Sequence, residues 1–147
     1  MTLFEALRES HDIQRTLLKN LLATSGDSAE RQEFFSQLKT ELLAHALSEE
    51  RHFYAPLMET DTGVEMSRHA IAEHHEMDEL VEDLEDTDPS SSAWLPLARK
   101  LEHQVLHHLE DEEHGFFQMA GKLLTDKQKT TLCKSYLDDY NAAKKEE

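Results

Sequence analysis

Apolar residues recur at spacings of three and four along most of the chain, and turn-forming residues cut the pattern into segments. Phe4, Leu7, His11, Leu18 and Leu22 form a first stripe, opened by capping-box spacing between Thr2 and Glu5 and closing near residue 24. Thr24 to Ser28 is turn-like. Asp27 and Glu30 are placed to cap a second helix carrying Phe34, Leu38, Leu42, His45, Glu49, Phe53 and Leu57. Pro56 should end or kink it, because proline lacks the amide donor and its ring crowds the preceding turn. Thr62 and Glu65 repeat the capping signal ahead of a third stripe: Ile71, His74, Met77, Asp78, Val81 and Leu84. The connection from Asp86 to Ser92, with Pro89 inside it, is the one loop of real length. Trp94, Leu97, Leu101, Val105, His108, Glu112, Phe116 and Met119 make the fourth stripe, stopping near Gly121.

Four amphipathic helices with short connections predict an all-α, up-down-up-down four-helix bundle over about residues 1–121. Thr125 starts a further segment, to about residue 143, with an apolar line of Leu132, Cys133, Tyr136, Leu137 and Tyr140. It is expected as a short accessory helix on the outside, with Lys144 to Glu147 frayed. A length of 147 residues suits one domain with one continuous core.

Composition narrows this picture. Only 4 Gly and 3 Pro, with 7% aromatics, fit a helical chain better than a β-rich one. A formal net charge of −16 argues against nucleic acid or an anionic membrane as partner. Cys133 stands alone, which excludes an intrachain disulfide framework and a cysteine-based zinc site; it is read as a small buried apolar residue. There is no long apolar run and no basic start followed by an apolar stretch, so the expectation is a soluble, cytoplasmic protein.

The chemistry lies in an internal repeat. His11, His45, Glu49, Glu50 and Phe53 recur as His74, His108, Glu112, Glu113 and Phe116, each displaced by 63 positions, and Tyr54 is matched by Phe117. Each half thus supplies a lone histidine and then a His-x-x-x-Glu pair, whose two members share one helix face. Imidazole nitrogen and carboxylate oxygen are ligands of iron, manganese and zinc. These residues occupy positions in the apolar stripes, where an unpaired carboxylate is costly. A single histidine on such a face is usually a satisfied core residue. Six such groups on four successive helices, under one repeat, point instead to a dinuclear metal site. If Glu49 and Glu112 each bridge, every metal receives two carboxylate oxygens and two imidazole nitrogens, with room left for water or a small ligand.

The segments His45-Ala-Leu-Ser-Glu49-Glu50-Arg-His-Phe53-Tyr54-Ala-Pro56 and His108-Leu-Glu-Asp-Glu112-Glu113-His-Gly-Phe116-Phe117 resemble the paired signatures of hemerythrin-like, HHE cation-binding domains. Ser10-His11-Asp12 and Glu73-His74 resemble that family's lone-histidine positions, so the likeness spans about residues 1–121. The resemblance implies a four-helix bundle around two iron ions, bridged by carboxylates and an oxygen species, with zinc or manganese as alternatives. It also implies oxygen binding, a response to oxygen, redox state or nitric oxide, or iron handling.

Two departures bear on function. Oxygen-carrying hemerythrins have a further histidine one turn after the third-helix histidine, where this chain has Asp78, and their last carboxylate is an aspartate at the fifth position, held here by Glu113. Stable reversible oxygen carriage is therefore not expected. Asp78 either ligates one metal, making the two inequivalent, or holds His74 through a hydrogen bond. His52, His69, His103 and His114 fall off the stripes and are read as solvated. His75–Glu79 and His107–Asp111 are also pairs four apart, but only the His74 and His108 register keeps the repeat. Glu50 and Glu113 are expected to face a neighbouring helix or solvent, with support of the ligands as the alternative. Tyr54 and Phe117 are read as core, with Tyr54 as a redox or hydrogen-bonding partner near the metal as the alternative.

The expected function is a non-haem di-iron protein binding or reacting with oxygen, peroxide or nitric oxide. The other classes are a metal-sensing interaction module and a static zinc or manganese protein without a redox role. No substrate-pocket or cofactor motif is visible in the sequence, and no protein partner is indicated.

Overall fold

Thr2 opens the first helix with a full capping box: its side chain accepts from the Glu5 amide while the Glu5 carboxylate accepts from the Thr2 amide. The computed structural model describes residues 1–145. From Thr2 the chain runs through α1 (Leu3–Leu22), α2 (Ala29–Glu49), α3 (Ala55–Leu57), α4 (Asp61–Glu85), α5 (Trp94–Asp111), α6 (Phe117–Leu123) and α7 (Asp126–Lys145). No strand occurs among the described residues. Wider π-turns, Glu50–Tyr54 and Glu112–Phe116, join α2 to α3 and α5 to α6. The result is four long rods in a helical bundle, with α7 as the fifth helix. α1 packs on α2, α4 on α5 and α1 on α5. Among the described residues, no helix is long and apolar enough to cross a membrane.

Two helix starts differ from the sequence expectation. Ser28, not Asp27, caps α2 by accepting from the Arg31 amide. Thr60, not Thr62, caps α4 by accepting from the Gly63 amide. A Cβ at Gly63 would lie 2.5 Å from the Leu57 carbonyl oxygen and 2.7 Å from Thr60 Oγ1, so this close turn requires glycine. At Pro56 the rod is widened before it ends. The Ala55 amide bonds back five residues to the Glu50 carbonyl, and the helix stops at Leu57.

The interior is two apolar clusters with a polar layer between them. One gathers Leu3, Leu7, Phe53, Leu57, Phe116 and Phe117 among others. The second gathers Leu18, Leu21, Leu38, Val81, Leu101 and Val105 among others. His11 and His74 each fall between residues of the two clusters along their own helices. Along the continuous rods, His45 falls between Leu38 of the second cluster and Phe53 of the first, and His108 between Val105 of the second and Phe116 of the first. The sequence pattern that interrupts each stripe with a histidine therefore becomes one buried plane.

The accessory helix forms where expected and runs to Lys145, two residues beyond the predicted end. Thr125 caps α7 with its own capping box through Gln128, as its position predicts. α7 is 20 residues long, packs on α1 and α2, and buries Cys133, Tyr136 and Tyr140. Its tyrosines reach polar groups inside the bundle, so this accessory helix also contributes to the interior. Lys144 is helical rather than frayed, with its Nζ 2.9 Å from Glu41 Oε1. Glu146 and Glu147, included in the predicted frayed tail, lie outside the described residues.

Candidate metal centre

Helix periodicity turns one histidine from each of α1, α2, α4 and α5 toward the bundle axis, and all four are buried. They sit as two pairs: His11 with His45, ring centroids 5.0 Å apart, and His74 with His108, 4.8 Å apart. Glu49, the last residue of α2, and Glu112, the first of the π-turn after α5, lie between the pairs, 0% and 2% exposed. Glu49 Oε1 is 3.2 Å from both His45 Nε2 and His74 Nε2. Glu112 reaches His11 Nε2 at 3.2 Å through Oε1 and His108 Nε2 at 3.6 Å through Oε2. Each carboxylate thus spans both imidazole pairs, the arrangement that bridging requires.

Ligand atoms of His11, His45, Glu49 and Glu112 lie within 4.8 Å of one another, as do those of Glu49, His74 and His108. His11 Nε2, His45 Nε2, Glu49 Oε2 and Glu112 Oε1 are buried without a hydrogen-bond partner. Leaving four such atoms unsatisfied is costly, and a cation at the common point satisfies them together. The donor set fits a borderline divalent metal such as iron, zinc or manganese.

The outer imidazole nitrogens are all engaged. His11 Nδ1 lies 2.6 Å from Glu113 Oε2, His74 Nδ1 2.8 Å from Glu50 Oε2, and His108 Nδ1 2.7 Å from Glu73 Oε1. An ionised carboxylate only accepts, so these contacts place the proton on Nδ1 and leave the Nε2 lone pair for the centre. His45 Nδ1 meets the Tyr136 hydroxyl of α7 at 3.1 Å. Glu50 and Glu113 therefore each face a neighbouring helix, as expected, and there support a ligand candidate. The partner of His74 is Glu50 and not Asp78, which is exposed one turn further along α4 and is not among the atoms brought together.

Tyr54 is both core, at 0% exposed, and the hydrogen-bonding partner given as its alternative reading. The π-turn brings residue 54 back over residue 49, and the Tyr54 hydroxyl donates to Glu49 Oε1 at 2.8 Å and contacts Glu112 Oε2 still more closely. Its repeat mate Phe117 stacks on His11 with centroids 5.8 Å apart, as Tyr54 leans on His74 at 5.4 Å. The halves share the ring contact and differ by one hydroxyl. Glu73 and Tyr136 carry no signal in the sequence repeat, whereas Glu50 and Glu113 were visible in it.

Electrostatics follow from this crowding. Burial, the Glu49 charge and a hydrogen bond with Glu49 push the Glu112 carboxyl up to about 7. Burial opposes the ionised form of Glu49, but His45, His74 and the hydrogen bond with Glu112 hold it well below the usual carboxylate range. Burial also opposes protonation of His11 and His74. Glu112 and Glu113 outweigh it at His11, raising it to about 9, and Glu49 and Glu50 raise His74 to about 10. Glu113 is held down to about 2 by His11 and then Arg15, against the opposing effect of burial.

A cavity of about 400 Å³ opens beside this layer. His108 and Glu112 line its inner end, Met66, Ala70 and Phe116 its apolar wall, and His69 and Asp111 its solvent side.

The family profile described as the Hemerythrin HHE cation binding domain matches residues 2–120. A protein of Nostoc sp. (strain PCC 7120) named "DNA nickase" is 27% identical over 144 residues, covering 98% of this chain and 39% of that protein. The chain thus spans about two fifths of that relative's length. The crystal structure of a Hemerythrin HHE cation binding domain-containing protein from Mycobacterium kansasii shares the fold, with a TM-score of 0.88 at 20% identity, over 99% of this chain and 89% of that one. With its signature segments falling inside the matched span, the chain belongs to the hemerythrin HHE cation-binding domain family.

Proposed function

We propose that this is a non-haem di-iron protein that binds or reacts with a small ligand: oxygen, peroxide or nitric oxide. The observation that carries this reading is the pair of buried carboxylates, each spanning two imidazole pairs, beside a cavity that reaches His108 and Glu112. In it, His11, His45, Glu49, His74, His108 and Glu112 hold two iron ions. Iron so held supplies one-electron exchange at each metal.

The chain's own residues do the rest. Glu113, Glu50, Glu73 and Tyr136 fix the orientation of the four imidazoles and raise their basicity. Phe53, Phe116 and Phe117 close the layer on one side and exclude water. Tyr54 holds a proton between Glu49 and Glu112. The formal net charge of −16 makes DNA an unfavourable partner, so the activity named for the Nostoc relative is not carried over.

Anaerobic reconstitution with Fe²⁺, followed by oxygen or peroxide, tests the proposal. A visible absorption band that forms and decays after addition is expected. Metal-dependent stabilisation with no spectral response would assign the site to static zinc or manganese, or to a metal-sensing module.

A further inference from the structure

Of the two further His-carboxylate pairs read from the sequence, His107 and Asp111 at the end of α5 are brought together with a third donor among the described residues, and His75 and Glu79 are not. In the structure His107 and Asp111 face another such pair, His69 and Glu73 on α4, across the mouth of the cavity. Ligand atoms of Glu73, His107 and Asp111 lie within 4.8 Å of one another. His107 Nε2 is 3.1 Å from Asp111 Oδ2, and His69 Nε2 is 3.6 Å from Glu73 Oε2. We propose that Glu73, His107 and Asp111, with His69 beside them, form a third and exchangeable site for a borderline divalent cation, through which metal reaches the buried centre.

Three observations separate this cluster from ordinary surface ion pairs. Its donors are carboxylate and imidazole in equal number, the set that suits iron or zinc and not a hard cation. Glu73 is no surface carboxylate: its side chain is 12% exposed, and its Oε1 accepts from His108 Nδ1 at 2.7 Å while Oε2 faces His69. One residue thus touches both sites. The cavity is continuous from His69 and Asp111 to His108 and Glu112, and Glu65 adds a further negative charge to its wall. Exposures of 73% for His69, 59% for His107 and 55% for Asp111 let water complete the coordination, which favours exchange over permanent holding.

His107 also stacks with His103, ring centroids 6.3 Å apart and one turn away, and such a pair can hold an ion by itself. That alternative supplies the control. Equilibrium dialysis against Zn²⁺ should find about three ions per wild-type chain, one more than the dinuclear count. His107→Ala and Asp111→Asn should each hold one fewer than wild type, while His103→Ala should match wild type. The same count in wild type and Asp111→Asn, or loss in His103→Ala alone, would overturn the site. Because the site is counted by difference, failure of the buried centre to fill lowers all counts equally and is told apart. For passage, limiting Fe²⁺ is added anaerobically to metal-free protein. Filling of the buried centre should slow by about tenfold in Asp111→Asn, a loss of the size seen when a metal site loses a supporting group. Equal rates overturn the route.

Discussion

Glutamine at position 113 and at position 50 should behave differently, although the two glutamates are repeat mates. Glu113 accepts twice: Oε2 lies 2.6 Å from His11 Nδ1 and Oε1 lies 2.9 Å from Arg15 Nη2. An amide has one oxygen and one NH₂, so Glu113→Gln must set a donor against a donor at one of these contacts. Among the described residues, the Glu50 carboxylate meets only His74 Nδ1, at 2.8 Å, and its side chain is 38% exposed against 14% for Glu113. A glutamine there turns its oxygen to His74 and its NH₂ to water. Loss of an outer partner of a metal ligand costs about 10–100-fold in affinity, or about 1.4–2.8 kcal/mol. Glu113→Gln belongs near the upper figure, and Glu50→Gln at or below the lower one. Competition between the metal-free proteins and a chromophoric chelator for Zn²⁺ measures both, and both variants should still fill the buried centre at saturation. Equal losses in the two variants, or a larger one in Glu50→Gln, would refute the reasoning.

Replacing either bridging candidate, Glu49→Gln or Glu112→Gln, should remove at least one of the two tightly held ions, counted by elemental analysis of iron-loaded protein. Asp78→Ala should leave metal content and affinity unchanged, since Asp78 is exposed and outside the buried set; a lost or weakened metal would restore it as a ligand. Tyr54→Phe deletes a buried hydroxyl bonded to Glu49 and Glu112 and should destabilise the metal-free protein by about 2 kcal/mol, a fall in Tm of several degrees by thermal melt, with a smaller fall when metal is bound. The pH dependence should reverse on metal loading. Raised from the ordinary 6.5 to about 9 and about 10, His11 and His74 contribute stability below pH 6.5 that is lost as pH climbs through those values. Metal must displace the same protons, so its affinity rises over that range; melts in chelator and in Zn²⁺ at successive pH values check both slopes.

Most of the bundle was legible because its signals are local. Stripes at three and four, the box at Thr2 and Glu5, and the start at Thr125 need no tertiary information. The six ligand candidates were legible because a metal requires donors to converge, and the repeat displays that convergence twice. Thr60 was missed as a cap because Gly63 permits a turn that Thr62 and Glu65 do not reveal. The π-turns were missed for a different reason. A regular helix would carry residue 54 away from the face of Glu49, and only a turn of five residues brings the Tyr54 hydroxyl to that carboxylate.

Where the repeat breaks, the fifth helix acquires its role. Glu50 and Glu113 obey the repeat, holding His74 and His11 in equivalent ways. Glu73 does not, because its mate 63 positions earlier is Ser10, whose short side chain donates to Glu41 at 2.6 Å instead of reaching His45. Tyr136 fills that place from α7, so the accessory helix completes the support of the histidines. Three imidazoles are backed by carboxylates and His45 by a neutral phenol. A charged acceptor raises imidazole basicity more than a neutral one does, which leaves His45 the weakest donor of the four. The two proposed metal positions thus differ in their surroundings at Tyr136 and Tyr54, on the side of the layer away from Asp78. Tyr136→Phe, which keeps the packing of α7 and removes the hydroxyl, should weaken only the position shared by His11 and His45. Biphasic chelator removal, with the weaker phase alone shifted, is the expected result; a uniform shift of both phases would assign Tyr136 to packing.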